Sequence, residues 1–131
     1  MKAAFDDAAK NYDADFTFSQ TGAAQREIVY NHLLESEKLK SPLSILEINC
    51  GTGEDAIWLA NHGHSVLATD ASEEMIRVAK QKASGLNKLD LQFQQAEFSA
   101  LNTKYRNIKY KIIVALRTCV VNKLLILLKV G

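Results

Sequence analysis

Ile45-Leu46-Glu47-Ile48-Asn49-Cys50-Gly51-Thr52-Gly53 joins an apolar run to a cramped, glycine-bearing turn. Residues 43–48 have the continuous apolar character of a strand buried on both faces, and residues 49–53 follow as a tight loop. Residues 54–61 then read as a helix with Ala56, Ile57, Leu59 and Ala60 turned inward, closed by Gly63. A glycine-rich turn between a strand and a helix lets backbone come close to a ligand, and the helix N-terminus behind it favours hydrogen-bond-accepting groups.

The pattern repeats downstream. Residues 65–70 read as a second strand, and Ser72 caps a helix with Glu73 and Glu74 in its first turn, where acids suit the N-terminal dipole; Gly85 ends it. Residues 89–94 alternate as a third strand, and residues 110–116 form a fourth, fully apolar one. From Thr118 onward the tail fits a helix or a further strand, and periodicity does not separate them. Upstream, residues 3–12 read as a short helix, followed by an aromatic stretch with Phe16 and Phe18. Residues 25–39 read as a firmer helix with Ile28, Val29, His32 and Leu33 on one face, stopped by Ser41-Pro42. Strand–helix alternation at this spacing predicts an α/β fold with a parallel sheet and right-handed crossovers.

Composition is consistent with one globular domain: 131 residues, Lys+Arg 16, Asp+Glu 15, net charge +1 and 47% hydrophobic. One Pro and six Gly exclude collagen-like, Pro-rich and Gly/Ser-linker chemistry. A net charge near zero gives no support for a nucleic-acid-binding face. Cys50 and Cys119 make neither a disulfide framework nor a zinc set, which predicts a reducing, cytoplasmic setting and no metal site. The opening residues turn acidic at Asp6 and Asp7, unlike a signal peptide. In the apolar tail, Arg117 and Lys123 would each cost about 2.5–3.5 kcal/mol near a bilayer centre, so no membrane span is expected. Charge is nevertheless uneven: residues 1–97 hold all 15 acids and 9 basic residues, while residues 98–131 hold 7 basic residues and no acid.

The chemistry concentrates at the first two strand ends. Asp70 lies 23 residues after Glu47. By itself it reads either as a helix-capping aspartate or as an acceptor for a ribose diol; beside the glycine loop, the ligand role prevails. Gly51-Thr52-Gly53-Glu54-Asp55-Ala56 formally matches the G-x-G-x-x-A dinucleotide pattern, which keeps a nicotinamide-dependent oxidoreductase as an alternative. Glu47 argues against it, because a carboxylate two residues before the loop would face a pyrophosphate in low dielectric. A cationic ligand carrying an ammonium and a sulfonium suits that carboxylate. His62 and His64 have metal-compatible spacing but no third ligand, and read as a solvated helix end. Cys50 reads as a small loop residue, since no histidine is placed to activate it. Trp58 reads as packing.

Residues 45–53 resemble motif I of class I S-adenosylmethionine-dependent methyltransferases, acidic-x-Gly-x-Gly-x-Gly. Val66-Leu67-Ala68-Thr69-Asp70-Ala71-Ser72-Glu73-Glu74-Met75 resembles the second-strand motif of that family, and Phe5-Asp6-Asp7-Ala8-Ala9-Lys10-Asn11-Tyr12 is similar to the opening of its small-molecule members. The resemblance covers residues 3–116. It implies a Rossmann-like three-layer sandwich with a mostly parallel sheet in the order 3-2-1-4, S-adenosylmethionine as cofactor, and a small-molecule methyl acceptor. Glu47 would hold the methionyl ammonium; Asn49, Cys50 and Gly51 would line the methionine moiety; Gly53 would allow close packing. Asp70 would take the ribose hydroxyls, Ala71 and Met75 would pack on the adenine, and Glu97 and Phe98 would meet the adenine edge. Tyr12, with Phe16, would belong to an N-terminal lid. The division implied is a lid region over residues 1–40, a cofactor-binding core over 41–116 and a basic-apolar tail over 117–131, together one partial domain.

Three departures stand out. Asn49 replaces the first glycine, a residue that tolerates a left-handed backbone. Glu97 replaces an Asp. Lys111 lies where the fourth strand usually carries an acid, and the family sheet, 3-2-1-4-5-7-6, is recognisable only through its fourth strand. The expectation is a chain truncated after that strand, with a shifted reading frame near its end, leaving the fourth strand an apolar edge; residues 124–128 either fold back over that edge or make an interface, and a dimer or poor solubility is predicted. No general base is assigned, and without an Asn-Pro-Pro-Tyr-type element near residues 112–118 amino-group methylation of nucleic-acid bases is disfavoured. A remnant that binds cofactor without turnover is the non-enzyme alternative.

Overall fold

In a computed structural model the described residues are 6–36, 39–86 and 88–97, with the backbone of two further strands at 112–116 and 125–128. A π-helical turn (Asp13–Thr17) leads into helix α1 (Gln20–Glu35). Strand β1 (Ser44–Ile48), helix α2 (Glu54–Asn61), strand β2 (Ser65–Asp70), helix α3 (Glu73–Ala83) and strand β3 (Leu91–Gln95) then alternate, followed by β4 (Ile112–Leu116) and β5 (Leu125–Leu128).

The strands form one sheet in the order β3-β2-β1-β4-β5. β1 lies parallel to both β2 and β4, and β2 lies parallel to β3. The strand order reverses between β1 and β4, so the loop after β1 opens at a topological switch point, where α/β sheets place ligands. The expected α/β, mostly parallel architecture is therefore present. The tail adds a strand that periodicity left open: β5 runs antiparallel to β4, from Ile113 opposite Leu128 to Leu116 opposite Leu125. That pairing covers the edge of β4 within the same chain, the fold-back that was one of the two courses open to residues 124–128, in place of an edge available to a second copy.

The core has a simple origin. Ile45 and Leu46 of β1, Val66 and Ala68 of β2, Ala56, Leu59 and Ala60 of α2, and Met75, Ile76 and Ala79 of α3 are all buried. The α3 cap is as expected, with the Ser72 hydroxyl accepting the Met75 N–H at 3.1 Å.

Four expectations need correction. Residues 6–11 form turns rather than the body of a helix over 3–12. Helix α1 starts earlier than residue 25, because Ser19 caps it by accepting the Gly22 N–H, and it stops at Glu35. The predicted apolar face of that helix is only partly used: Leu33 is buried and Val29 packs on the core, while Ile28 is 72% exposed. His64 is buried rather than solvated, its Nδ1 accepting the Leu43 N–H at 3.2 Å, so the chain entering β1 is tied to the residue entering β2. Burial, then the neighbouring His62, holds the His64 pKa below the ordinary imidazole value. Trp58 packs as expected, stacked on Tyr30 at 4.3 Å between ring centroids and tilted against His62 at 4.0 Å.

Gly53 has φ +82°, and a Cβ there would meet the Phe93 ring at 2.7 Å and the Ala79 Cβ at 3.0 Å. Gly63, at φ +87°, has open space around it. Gly53→Ala is therefore expected to cost about 2–4 kcal/mol, the sum of left-handed strain and overpacking, whereas Gly63→Ala costs only the strain, about 1–2 kcal/mol. Urea denaturation of the two variants, compared with the parent chain, measures the difference.

Candidate functional site

The loop after β1 is built from alternating left-handed residues, Asn49 at φ 58°, Gly51 at 56° and Gly53 at 82°. Asparagine is among the few side-chain-bearing residues that accept this conformation, because its short polar side chain clashes least. The loop is fixed by its neighbours. The Cys50 N–H donates to the Thr69 carbonyl at 2.9 Å, and the Gly51 N–H donates to Asp70 Oδ2 at 2.9 Å. The other oxygen of Asp70 accepts the Ser72 N–H at 2.9 Å. Asp70 thus caps the turn into α3 and shapes the glycine loop at once. These two bonds leave roughly half of the carboxylate's acceptor capacity for a ligand.

Glu47 lies under this loop. It is 1% exposed, and neither carboxylate oxygen has a hydrogen-bond partner among the described residues. Burial, then Asp55 and Asp70, push its pKa well above the ordinary carboxylate value. The Cys50 thiol is pushed up by burial and by Glu47, Asp70 and Asp55. Asp55, in the first turn of α2, is itself buried and accepts the Tyr30 hydroxyl at 2.5 Å; burial and Asp55 together hold the Tyr30 phenol far above its usual range. Two carboxylates, Asp55 and Asp70, therefore bear on the buried Glu47.

A cleft beside the loop is lined by Tyr12, Arg26, Asn49, Cys50, Gly51 and Asp55, with Thr17, Thr52 and Glu54 completing it, and offers a volume of about 30 Å³. The Arg26 guanidinium donates to the Thr17 carbonyl at its rim. On the far side Lys82 of α3 donates to Asp13 at 2.7 Å, to Glu54 at 3.1 Å and to the Thr52 hydroxyl oxygen at 3.3 Å, and Thr52 in turn donates to Asp13. Burial alone would raise the Asp13 carboxyl, but the bonds from Lys82, Thr52 and Thr17 and the charge of Lys82 bring it below its ordinary value.

Of the residues singled out from sequence, Tyr12, Asn49, Cys50 and Gly51 meet along the cleft, and Glu47 and Asp70 act on each other electrostatically. Gly53 packs on Phe93 and Ala79. Ala71 follows Asp70 and its carbonyl accepts from the Gln95 amide at 3.1 Å, while Met75 is buried in the first turn of α3. Glu97 is exposed just beyond β3. Phe98 lies outside the described residues, as does Lys111. Phe16 stacks on Tyr12 at 5.7 Å between centroids. Sequence reasoning overlooked Arg26, Tyr30, Asp55 and Lys82. Asp55 carried a visible signal, an acid in a helix first turn beside an acidic strand end; the other three are brought in from far along the chain.

The family described as a methyltransferase domain matches residues 45–125. Among curated relatives, a putative methyltransferase of Bacillus subtilis is 52% identical over 40 residues, 30% of this chain and 16% of its own length. The tRNA 5-carboxymethoxyuridine methyltransferase of Escherichia coli is 32% identical over 81 residues, 60% of this chain and 31% of its own. The chain spans less than a third of either relative. Among solved structures, the magnesium protoporphyrin IX methyltransferase of Synechocystis, with bound SAH, shares the fold at a TM-score of 0.57 and 24% identity, over 71% of this chain and 40% of that one.

Because the fold raises the pKa of Glu47, it retains that proton to higher pH than the unfolded chain does. The stability tied to it is complete below the ordinary value of 4.5 and is lost as pH rises through the folded value. Glu47→Gln is expected to flatten the decline of unfolding free energy above pH 4.5 in urea titrations at a series of pH values. A decline as steep as that of the parent chain would mean that the acid is hydrated rather than buried.

Proposed function

The chain belongs to the methyltransferase domain family, and from that premise we propose that it binds S-adenosylmethionine and transfers the methyl group to an acceptor by in-line displacement at the sulfonium methyl carbon. The observation that carries this reading is Glu47, a sealed carboxylate with no partner among the described residues, beneath a left-handed glycine loop. A buried, unpaired carboxylate costs several kcal/mol if ionised, unless a cation arrives to meet it. The residues fit the cofactor in three respects. Glu47 supplies the anion for an ammonium, Asp70 retains acceptor capacity for a ribose diol, and the cleft floor is net acidic.

When bound, S-adenosylmethionine supplies an electrophilic methyl group on a sulfur that departs as a neutral thioether. The chain's own part is to bind and orient. Glu47 would give up its proton as it takes an ammonium. Asp70 would hold a ribose while keeping the Gly51 and Ser72 amides in place, and Asn49, Cys50 and Gly51 would present backbone beside the methionine moiety. Ala71 and Met75 would back the adenine, with Glu97 and Phe98 toward its edge. Rate enhancement of this kind comes mainly from proximity and orientation. Glu47 also disfavours the nicotinamide alternative, since it would confront a pyrophosphate.

For the acceptor, a small molecule fits the resemblance of residues 5–12 to small-molecule methyltransferases. A nucleic-acid acceptor is the second reading, favoured by the similarity to the Escherichia coli tRNA enzyme and by the seven basic residues without an acid over 98–131. No helix among the described residues is long and apolar enough to cross a membrane, and the buried free thiol of Cys50 is compatible with the cytoplasmic placement we favour.

Calorimetry with S-adenosylhomocysteine and NADH side by side tests the cofactor. Binding of the first and not the second is expected, and Asp70→Asn, which keeps the side chain's shape but only one of the two acceptor oxygens used by the Gly51 and Ser72 amides, is expected to weaken it by at least about tenfold. The binding enthalpy should also vary with the ionisation enthalpy of the buffer, reporting proton release, and that dependence should vanish in Glu47→Gln. A methyl-transfer assay with small-molecule and tRNA acceptors then separates turnover from binding alone. NADH binding in place of the nucleoside would overturn the reading.

A further inference from the structure

We propose that Tyr30 is a positioning residue of the donor site, holding Asp55 at the cleft as a second anionic seat, besides Glu47, for the donor's ammonium. In the cofactor reading, on which this rests, the ammonium needs an acid that it can touch. Glu47 is sealed at 1% exposure, and the cleft is lined by Asp55 and not by Glu47. Asp55 lies there with Asn49, Cys50 and Gly51, whose backbone is expected beside the methionine moiety. The cleft volume of about 30 Å³ admits one water-sized group, and an ammonium is of that size. After burial, Asp55 is the foremost charge that disfavours the Glu47 anion, so a cation bound beside them is drawn by both acids.

Tyr30 reaches this acid from α1, 25 residues earlier in the chain, and its hydroxyl donates to Asp55 Oδ1 at 2.5 Å. A bond that short is typical of a hydroxyl meeting a carboxylate. The ring is fixed in turn, stacked on Trp58 at 4.3 Å with 11° between planes. Trp58 is braced by His62, whose ring tilts against it at 4.0 Å and whose Nδ1 donates to the Trp58 carbonyl at 2.7 Å. Asp55 and Trp58 are three residues apart on α2, so the hydroxyl and the ring of Tyr30 engage one face of that helix. The two acids lining the cleft are answered differently. Glu54 is paired at 3.1 Å with Lys82, a full positive charge. Tyr30 brings Asp55 a neutral donor, and burial together with Asp55 keeps the phenol proton in place. Such a bond orients a carboxylate without cancelling its charge, as a seat for a cation requires. Arg26, which also lines the cleft, turns its guanidinium to the Thr17 carbonyl.

Calorimetry with two ligands tests the assignment: S-adenosylhomocysteine, and the analogue that lacks only its α-amino group. Asp55→Asn, which keeps an acceptor for Tyr30 but not the charge, should weaken S-adenosylhomocysteine about tenfold or more and leave the analogue within about twofold of its parent affinity. Tyr30→Phe, which keeps the ring on Trp58, should weaken S-adenosylhomocysteine about threefold or more and spare the analogue in the same way. In the double variant, Tyr30→Phe should add nothing to Asp55→Asn, because Tyr30 acts through the Asp55 charge. Emission from Trp58, the sole tryptophan, should stay at its parent wavelength in Tyr30→Phe, showing that the column of rings is intact. Where that emission shifts, Asp55→Asn measured against both ligands decides alone. Equal weakening of both ligands, additive losses in the double variant, or parent affinity for S-adenosylhomocysteine in Asp55→Asn would overturn the assignment and leave the cofactor reading intact. Failure of S-adenosylhomocysteine to bind the parent chain would overturn the cofactor reading, and the ammonium seat with it.

Discussion

Asp70 accepts the Gly51 amide through one oxygen and the Ser72 amide through the other, so the last residue of β2 dictates the course of the loop that leaves β1. Much follows from this. With the loop pinned, Cys50 is drawn against the Thr69 carbonyl, Gly53 turns into the narrow space between Phe93 and Ala79, and α2 starts directly above the sheet. Glu47 is then roofed over by the same turn, cut off from water yet close enough to Asp55 and Asp70 to be disfavoured as an anion. Local geometry and electrostatics are one device here: the bonds that shape the loop also create the acid's need for a positive partner.

Glu47 is a locally costly residue at this point in the chain. A hydrophobic residue at Glu47 would pack the core at less cost. Tyr30 offsets part of the acidity by donating to Asp55, and α2 offsets more through its N-terminal dipole, with Glu54 and Asp55 in its first turn. Lys82 neutralises the outer rim but does not reach the floor.

The elements around the site were legible because each signal was local. The apolar run before Asn49, the cap at Ser72 and the strand from Ser65 to Asp70 fall where short-range pattern places them. The left-handed Asn49 was readable for the same reason, since its side chain tolerates that backbone. Misreadings arose where pattern and packing part company. Helix α1 begins at a Ser19 cap well before its first large apolar residue, and Ile28 keeps helical spacing while facing solvent. His64 looked like a polar helix end, but it fills a buried position by accepting an amide from the chain entering β1. Lys82 and Asp13 are 69 residues apart, and no periodicity reports such a meeting. Spacing about a glycine turn put Glu47 and Asp70 beside one loop, and the resemblance of residues 5–12 implied a lid, whereas the ties of Asp6 to Ser72 and of Asp13 to Thr52 are visible only in three dimensions.

The antiparallel return of β5 has a consequence for which rim of the sheet the chain revisits. β4 runs parallel to β1, so its last residue, Leu116, emerges on the same rim of the sheet as the glycine loop, and β5 departs from that rim with Leu125. A reversal of direction, with Arg117 and Lys123 inside it in sequence, therefore leaves and rejoins the sheet beside the crevice. A parallel successor would have carried the chain away through a helix to the opposite rim.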